Sequence, residues 1–304
     1  MGPETIVPTG RETANVERAL KKLRAKPVSW RAVTRGGYTP ARRWIVGLDD
    51  GGTAFVKVAS DELTASWIRD EHVVYSVLRG APFMPGYLGF FDDGECPVLA
   101  LEDLSQRAWP PPWDRAAIDA VLETLRAVSA TPPPEGTPLA ADDAREVGGG
   151  WEAIARDPSP FLALGLCDGA WLSAHLEPLR AAAAAARFGG DGFLHFDVRS
   201  DNTCVEDSRA VLVDWNLTCV GNPQLDIVFW LPSLEAEGGP RPEEVLPDAE
   251  PPLVSTCAAF FCERAGRPPV PNAPRVREIQ LIQARTALPW AARALGLPVP
   301  EPTR

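Results

Sequence analysis

The sequence lacks several features that would assign it to common classes of protein. A membrane-spanning helix needs about 18 or more consecutive apolar residues, and the 304-residue chain has no such stretch. Its three histidines are too scattered for a zinc site, and its six cysteines include no Cys-x-x-Cys pair. The N-terminal segment lacks the basic and apolar pattern of a secretion signal. We therefore expect a cytoplasmic protein with reduced thiols and no membrane contact.

Basic residues are also in the minority. The chain has 30 Lys and Arg against 41 Asp and Glu, which gives a net charge of −11. Nucleic acids attract basic surfaces, so we expect no nucleic-acid partner. The excess negative charge either attracts a cationic ligand or serves solubility.

The most informative stretch is residues 193–216, FLHFDVRSDNTCVEDSRAVLVDWN. Asn202 comes five residues after Asp197, and a short apolar strand then ends at Asp214. Phosphoryl transfer to a hydroxyl needs one carboxylate that takes the hydroxyl proton, and an amide and a second carboxylate that hold Mg²⁺ on the phosphates. Protein kinases have the same Asp-to-Asn spacing in their catalytic loop. The stretch therefore predicts a phosphoryl-transfer site.

This stretch resembles the catalytic loop of the aminoglycoside phosphotransferase and choline kinase-like family, which has the protein-kinase-like fold. The family pattern is H-G-D, with Asn at the fifth place after the Asp, and later D-W-E or D-W-D. This chain has HFD and DWN, so Phe196 replaces the glycine and Asn216 replaces a carboxylate. Whether Asn216 contacts metal stays open.

The resemblance implies a role for most polar residues of the loop. It makes Asp197 the catalytic base and Arg199 the cation that neutralises the transferring phosphate. It makes Asn202 and Asp214 the Mg²⁺ ligands. It also implies two structural roles, since His195 would hydrogen-bond backbone near the metal-binding Asp, and Asp226 would cap the next helix and brace the loop.

Lys57 and Glu71 form a second candidate group. Lys57 lies in an apolar strand, and Glu71 falls within an apolar stripe of the following helix, made by Leu63, Trp67, Val74 and Leu78. A carboxylate on a buried helix face needs a cation. Kinases pair such a Lys and Glu, and the Lys then binds the α- and β-phosphates of ATP. The alternative is a pair of surface charges that extend into solvent.

A glycine-containing loop between the first two predicted strands is a further candidate for contact with phosphate. Gly36 and Gly37 let the backbone approach a ligand closely, and their N–H groups, with Thr39, can act as donors. An ordinary hairpin loop has the same composition. The loop alone therefore does not predict a nucleotide contact, and the prediction depends on the presence of Lys57 and Glu71 as well.

The pattern of strands and helices predicts an α+β fold, and the resemblance implies that this fold is bilobal and protein-kinase-like. Five strands (28–33, 42–48, 53–58, 83–91 and 97–101) would form an antiparallel sheet with the helix at 61–79. Helices at 12–25, 113–130, 168–188, 253–265 and 275–295 would account for most of the remaining chain. The expected lobes are 1–103 and 104–304. The resemblance implies that the backbone of Ala100, Glu102 and Asp103 binds the adenine of ATP, in a cleft between the lobes.

The segment after Asp214 predicts the class of acceptor. Only a short stretch separates Asp214 from Asp226, and no A-P-E element comes after it, so the platform on which protein kinases dock peptides is missing. We expect a small-molecule hydroxyl, led by an aminoglycoside or another cationic antibiotic. Choline, homoserine and sugars remain open as acceptors, a nucleotide-binding pseudokinase is the alternative, and the oligomeric state is open.

An acidic segment at 232–252 is the last feature that bears on the acceptor. It is predicted to be a loop rich in proline and glutamate. Its carboxylates either attract a polycationic acceptor or form a solvated surface.

Overall fold

The structure is a computed structural model that describes residues 7–34, 40–206, 209–271, 273 and 275–303, the side chain of residue 145 excepted. The chain divides into two compact units. Unit 1 comprises the chain up to residue 109 together with 201–216, and unit 2 comprises 110–200 and the chain from 217 onward. The lobe boundary at residues 103 and 104 stays a prediction.

Unit 1 is built on a five-stranded antiparallel sheet with strand order β1-β2-β3-β5-β4. The strands are β1 (Pro27–Ala32), β2 (Arg42–Leu48), β3 (Thr53–Val58), β4 (Tyr87–Phe91) and β5 (Val98–Glu102). The sheet and its antiparallel pairing are as the sequence predicts. Helix α1 (Gly10–Ala19) contributes Val16 to a buried apolar cluster with Val56 and Val98, and Leu20 joins the cluster just after the helix.

Alternation along β3 decides where Lys57 points. Side chains of a strand alternate between the two faces of its sheet. Val56 and Val58 belong to the apolar cluster that includes α1, so Lys57 points to the opposite face. Helix α2 (Glu62–Val77) meets it there, because Glu71 of α2 hydrogen-bonds the Lys57 ammonium. The charged side chain of Lys57 thus lies on the face of the sheet that packs against α2.

Helix α2 begins with a cap and buries one face. The Asp61 carboxylate accepts from the Thr64 N–H, which satisfies a donor that the first helical turn would leave unpaired. The buried positions are Thr64, Ala65, Ile68, Glu71, Val74 and Tyr75. The predicted stripe is therefore wrong at its first member, since Leu63 is 56% exposed. Leu63 lies about 100° around the helix from the centre of the buried face, which Thr64, Glu71 and Tyr75 mark.

The hairpin that leads to Asp214 also belongs to unit 1. Strands β7 (Thr203–Glu206) and β8 (Arg209–Leu212) pair antiparallel. The Val205 N–H donates to the Ala108 carbonyl, and the Leu212 N–H donates to the Phe83 carbonyl. Trp215 is fully buried, and its ring lies 5.7 Å from that of Phe83. The hairpin is thus fixed to unit 1 on both strands.

Unit 2 is mainly helical. Its elements are α3 (Arg115–Ser129), α4 (Ala144–Gly148), α5 (Gly150–Arg156), α6 (Ser159–Leu162), α7 (Gly169–Ala184), β6 (Gly192–Leu194), β9 (Cys219–Gly221), α8 (Gln224–Ala236), α9 (Pro242–Val245), α10 (Pro251–Ala265) and α11 (Val276–Ala294). Strands β6 and β9 form a short antiparallel pair. Across the described residues, no helix combines the length and the apolar character that crossing a membrane requires.

Several predicted element ends are wrong. Helix α1 ends at Ala19 and a short 3₁₀ turn comes after it, where the sequence predicts one helix to residue 25. Strand β4 begins at Tyr87 instead of 83, because turns occupy residues 82–84 and Pro85 has no N–H for a sheet. Helix α7 ends at Ala184 instead of 188.

The acidic segment at 232–252 is not a loop, which corrects a second prediction. Helix α8 continues through Pro232 to Ala236, and α9 and the start of α10 take up much of the rest. Proline lacks the N–H that would bond the carbonyl four residues earlier, at Val228. The buried Cys257 thiol donates to that carbonyl instead, at 3.4 Å. A partner from α10 thus lets the helix tolerate its proline.

Candidate active site

In unit 1, three charged side chains meet at the ammonium of Lys57. Its Nζ lies 2.8 Å from each carboxylate oxygen of Glu71 and 2.6 Å from Oδ1 of Asp214. The predicted contact between Lys57 and Glu71 is present, and both residues are buried. Because an ammonium has three donors, all of them are directed to carboxylate oxygens here. One cation is thus shared by two anions.

Burial and the neighbouring opposite charges shift the pKa values of this cluster in opposite directions. Burial alone would lower the pKa of Lys57, but the Asp214 and Glu71 carboxylates outweigh burial and raise it. Burial raises the pKa of Glu71 to about 7, with Asp214 adding to the rise and Lys57 opposing it. Lys57 is therefore firmly cationic, and a second cation near the two carboxylates would relieve their repulsion.

Tyr75 completes the cluster, and the sequence reasoning missed it. Its hydroxyl accepts a hydrogen bond from the Asp214 backbone N–H at 3.3 Å. Burial, with Glu71 and Asp214 nearby, raises the pKa of Tyr75 well above its usual range, so the hydroxyl stays protonated. Tyr75 lies four residues after Glu71, on the same face of α2. That spacing is the signal that could have found it.

The two predicted metal ligands lie at the open end of the β7–β8 hairpin. Asn202 directly precedes β7, and Asp214 comes two residues after β8. The Val213 N–H donates to the Asn202 carbonyl at 2.9 Å, which fixes the two chain segments side by side. Asp214 has a positive φ of 72°, a conformation that is uncommon for residues other than glycine. An amide oxygen and a carboxylate are donors that suit Mg²⁺, so the residues present fit that ion.

The predicted adenine-binding segment, residues 100–103, makes several contacts within unit 1. Ala100 is fully buried in β5, between β3 and β4. The Glu102 N–H donates to the Gly86 carbonyl at 2.7 Å, and its side chain accepts from Arg107. Asp103 comes directly after the strand, and its carboxylate accepts from the Ser105 N–H. The contact of the Ala100, Glu102 and Asp103 backbone with adenine stays a prediction.

The glycine-containing loop is a separate case. Gly36, Gly37 and Thr39 lie outside the residues that the structure describes. Their proposed contact with phosphate therefore stays a prediction.

In unit 2, Asp226 holds the start of the predicted catalytic loop. Its two carboxylate oxygens accept from the backbone N–H groups of His195 (3.0 Å) and Phe196 (2.7 Å). Burial raises the pKa of Asp226 to about 6, although the two N–H donors lower it. The predicted brace is present, but Asp226 does not cap α8, since it lies in the first turn of that helix after Pro223.

The candidate base lies in the same loop, next to its predicted cationic partner. Oδ2 of Asp197 is 3.1 Å from Nη2 of Arg199, and both side chains are partly exposed. The Asp197 backbone N–H donates to Nδ1 of the buried His195 at 3.2 Å. Backbone contacts thus orient the loop, and a guanidinium lies beside the carboxylate that would take a proton.

Phe196 adopts a conformation that explains the glycine of the related pattern. Its φ is 62°, in the left-handed region that glycine adopts without steric cost. The ring packs against Phe229 of α8 at 5.8 Å, and its N–H is held by Asp226. Contacts with α8 therefore stabilise a phenylalanine at a position where the backbone conformation favours glycine.

A profile of the phosphotransferase enzyme family, APH, matches residues 32–252 of the chain. The chain belongs to this phosphotransferase family. The match includes every residue that the sequence assigns to the site, from Gly36 to Asp214. No curated protein sequence matches the chain.

Solved structures of similar fold cover most of the chain. A choline/ethanolamine kinase family protein from Mesorhizobium loti is 13% identical, covers 88% of this chain and 92% of its own, and has a TM-score of 0.58. A macrolide 2′-phosphotransferase type I is 14% identical, with coverages of 96% and 95% and a TM-score of 0.54. The amicoumacin kinase hAmiN, solved with AMP-PNP, Ca²⁺ and Ami, is 9% identical, with coverages of 84% and 88% and a TM-score of 0.52. The predicted kinase-like fold is confirmed.

Proposed function

We propose that this chain transfers the γ-phosphate of ATP to a hydroxyl group of a small molecule. The observation that carries the proposal is the cluster in unit 1, where one buried lysine contacts Glu71 and Asp214. Membership of the phosphotransferase family supports the same reaction. The kinase of similar fold that was solved with AMP-PNP and Ca²⁺ supports the use of a nucleotide and a divalent metal.

Lys57 would hold the α- and β-phosphates of ATP. Its three donors already bond carboxylate oxygens, so contact with phosphate requires that one carboxylate be exchanged. The side chain of Asp214 is 24% exposed against 3% for Glu71, so Asp214 is the partner that can leave. Glu71 would remain and keep the lysine in position.

Asn202 and Asp214 would hold Mg²⁺, because they supply oxygen ligands at the open end of one hairpin. When bound, the ion would neutralise negative charge on the phosphates. The Val213–Asn202 backbone bond would keep the two ligands together. Tyr75 would support this arrangement by fixing the backbone at Asp214.

Asp197 would accept the proton of the acceptor hydroxyl while the oxygen of that hydroxyl attacks the γ-phosphorus. The hydroxyl oxygen forms the new P–O bond, the bond to the β-phosphate oxygen breaks, and ADP leaves. Arg199, beside Asp197, would stabilise charge on the transferring group. Asp226 and His195 would keep the loop in shape through backbone hydrogen bonds.

The acceptor would be a small molecule and not a peptide. After Asp214 the chain enters β9 and then α8 within ten residues, so it has no long segment for docking a peptide. An aminoglycoside or another cationic antibiotic is our first candidate. Choline, homoserine and sugars come next.

A screen for ADP release tests this proposal. Purified protein is given Mg²⁺ and ATP with a panel of aminoglycosides, macrolides, choline, homoserine and sugars. We expect at least one compound to raise ADP release well above the rate with water, and ³¹P NMR to show a phosphate monoester. ATP binding without transfer to any acceptor would favour a pseudokinase instead.

A further inference from the structure

Glu237, in the acidic segment, binds two donors from distant parts of unit 2. Its Oε1 accepts from the Ser200 hydroxyl at 2.6 Å, and its Oε2 accepts from the Trp113 indole N–H at 2.7 Å. Hydrogen bonds to a carboxylate are shorter and stronger than those between neutral groups. Trp113 also packs its ring against Trp230 of α8 at 5.5 Å. Glu237 is therefore a fixed side chain and not a mobile surface charge.

Ser200 lies in the catalytic loop between the candidate base and the candidate metal-binding amide. It lies three residues after Asp197 and two before Asn202. The chain passes from unit 2 to unit 1 directly after Ser200. The candidate base and the candidate metal-binding amide thus belong to different units, and Ser200 is the last residue on the side of the base.

Both ends of the loop are bonded to the same helix. Asp226, in the first turn of α8, accepts from Phe196, and Glu237, which caps the other end of α8, accepts from Ser200. The rise of an α-helix separates the Cα atoms of these two residues by about 16 Å along the axis. Their side chains therefore hold the loop from the two ends of α8.

We propose that Glu237 is a positioning residue that fixes the distal end of the catalytic loop. This inference rests on the proposed function, because it gives Asp197 its orientation for proton transfer. Asp226 alone would hold only the beginning of the loop. With Glu237 in place, α8 holds Asp197 from both sides.

Glu237→Gln tests the proposal in the full chain. The amide keeps the size of the side chain but removes its charge, so its oxygen can accept from only one of the two donors and the Ser200 hydroxyl has to turn from donor to acceptor. Both contacts then lose the strength that a carboxylate acceptor gives them. We expect faster hydrogen exchange at residues 196–200 in the presence of Mg²⁺ and AMP-PNP. We expect kcat for ADP release from Mg²⁺ and ATP, with water as acceptor, to fall about tenfold to a hundredfold. Affinity for AMP-PNP should change less than about twofold.

Two matched variants give the controls. Glu244→Gln removes the same charge from the same segment, and Glu244 is an exposed residue whose Oε1 accepts from the nearby Arg241 N–H. It should change neither exchange nor kcat. Ser200→Ala should reproduce the effect of Glu237→Gln, and the double variant should be no worse than either single one.

The outcomes separate this inference from the proposed function. Unchanged exchange at 196–200 in Glu237→Gln would overturn the positioning role, whatever the turnover. An equal loss in Glu244→Gln would overturn it too, since charge alone would then explain the effect. Asp197→Asn should lower turnover by about 10²–10⁴-fold while the hydrogen bond between Ser200 and Glu237 remains. If Asp197→Asn is as active as the unaltered protein, the proposed function fails, while the exchange result still decides the role of Glu237.

Discussion

The two groups of candidate functional residues, one in each unit, are stabilised in different ways. In unit 1, Lys57, Glu71 and Asp214 meet through charge, with one buried cation between two carboxylates. In unit 2, carboxylates hold the loop through neutral donors, since Asp226 binds two backbone N–H groups and Glu237 binds a hydroxyl and an indole.

The difference indicates what each part is for. A cluster with surplus negative charge and an exchangeable carboxylate is suited to ligands that carry charge, such as a metal ion and phosphates. A loop held by directed hydrogen bonds is suited to orienting one side chain with little movement. Charge would therefore dominate binding in unit 1, and geometry would dominate proton transfer in unit 2.

The largest effect is expected from Asp214→Asn. The amide removes the carboxylate that we propose as a ligand of Mg²⁺. That ion would supply several kcal/mol of transition-state stabilisation, so turnover should fall by about 10³-fold or more. The melting temperature should hold or rise, because Lys57 keeps Glu71 and the repulsion between the two carboxylates is gone. A turnover assay checks the loss of activity, and thermal unfolding checks the melting temperature. Full activity would show that charge in unit 1 is not needed for chemistry.

Glu71→Ala should have the next largest effect. Breaking an isolated buried ion pair costs about 3–5 kcal/mol, and the loss here should be smaller because Lys57 retains Asp214. ATP affinity should weaken about tenfold, since the lysine loses the partner that positions it. Asp70→Ala, which removes an exposed carboxylate next along α2, is the control. Equal affinities in the two variants would contradict the role of the buried pair.

Asp226→Asn should reveal a pH dependence that is specific to unit 2. Folding raises the pKa of Asp226 from 3.8 to about 6, so the folded state binds more protons between these values. The stability from this group is complete below about pH 4 and is lost as pH rises through 6. Relative to the Asn variant, the unaltered protein should lose on the order of 2 kcal/mol of unfolding free energy between pH 4.5 and pH 7. Urea unfolding at pH 4.5 and 7 measures it, and a constant difference would exclude the shift.

Phe196→Gly should have the smallest effect. Glycine relieves the left-handed backbone at this position by about 1–2 kcal/mol. It also loses the burial of a partly buried ring and an aromatic contact with Phe229 that contributes about 0.5–1.5 kcal/mol. These terms oppose each other, so the unfolding free energy should fall by only about 1 kcal/mol. A large loss of stability would show that the aromatic contact, more than Asp226, holds the start of the loop.

Local patterns predicted much of this molecule. Strand alternation and turns gave the five-stranded sheet, and helical spacing placed Glu71 on a buried face that meets Lys57. The spacing of Asp197, Asn202 and Asp214 gave the family. These signals are short in sequence, so they can be read without knowing which distant segments pack together.

Contacts between distant segments were not predictable in the same way. Asp214 reaches Lys57 across 157 positions of sequence, and Glu237 reaches Trp113 across 124. The passage of α8 through Pro232 depends on a thiol from α10. Each case depends on a partner supplied by tertiary packing, which overrides the local preference of the residue.

The most direct test of the proposed reaction is the turnover of Asp197→Asn at matched ligand affinity. Calorimetry with Mg²⁺ and AMP-PNP first establishes that the variant binds nucleotide as the unaltered protein does. ADP release with the acceptor found in the screen is then measured for both proteins. Loss of the base should lower kcat by about 10²–10⁴-fold while nucleotide affinity is retained. A variant that binds nucleotide equally and turns over at the full rate would contradict the assignment of Asp197.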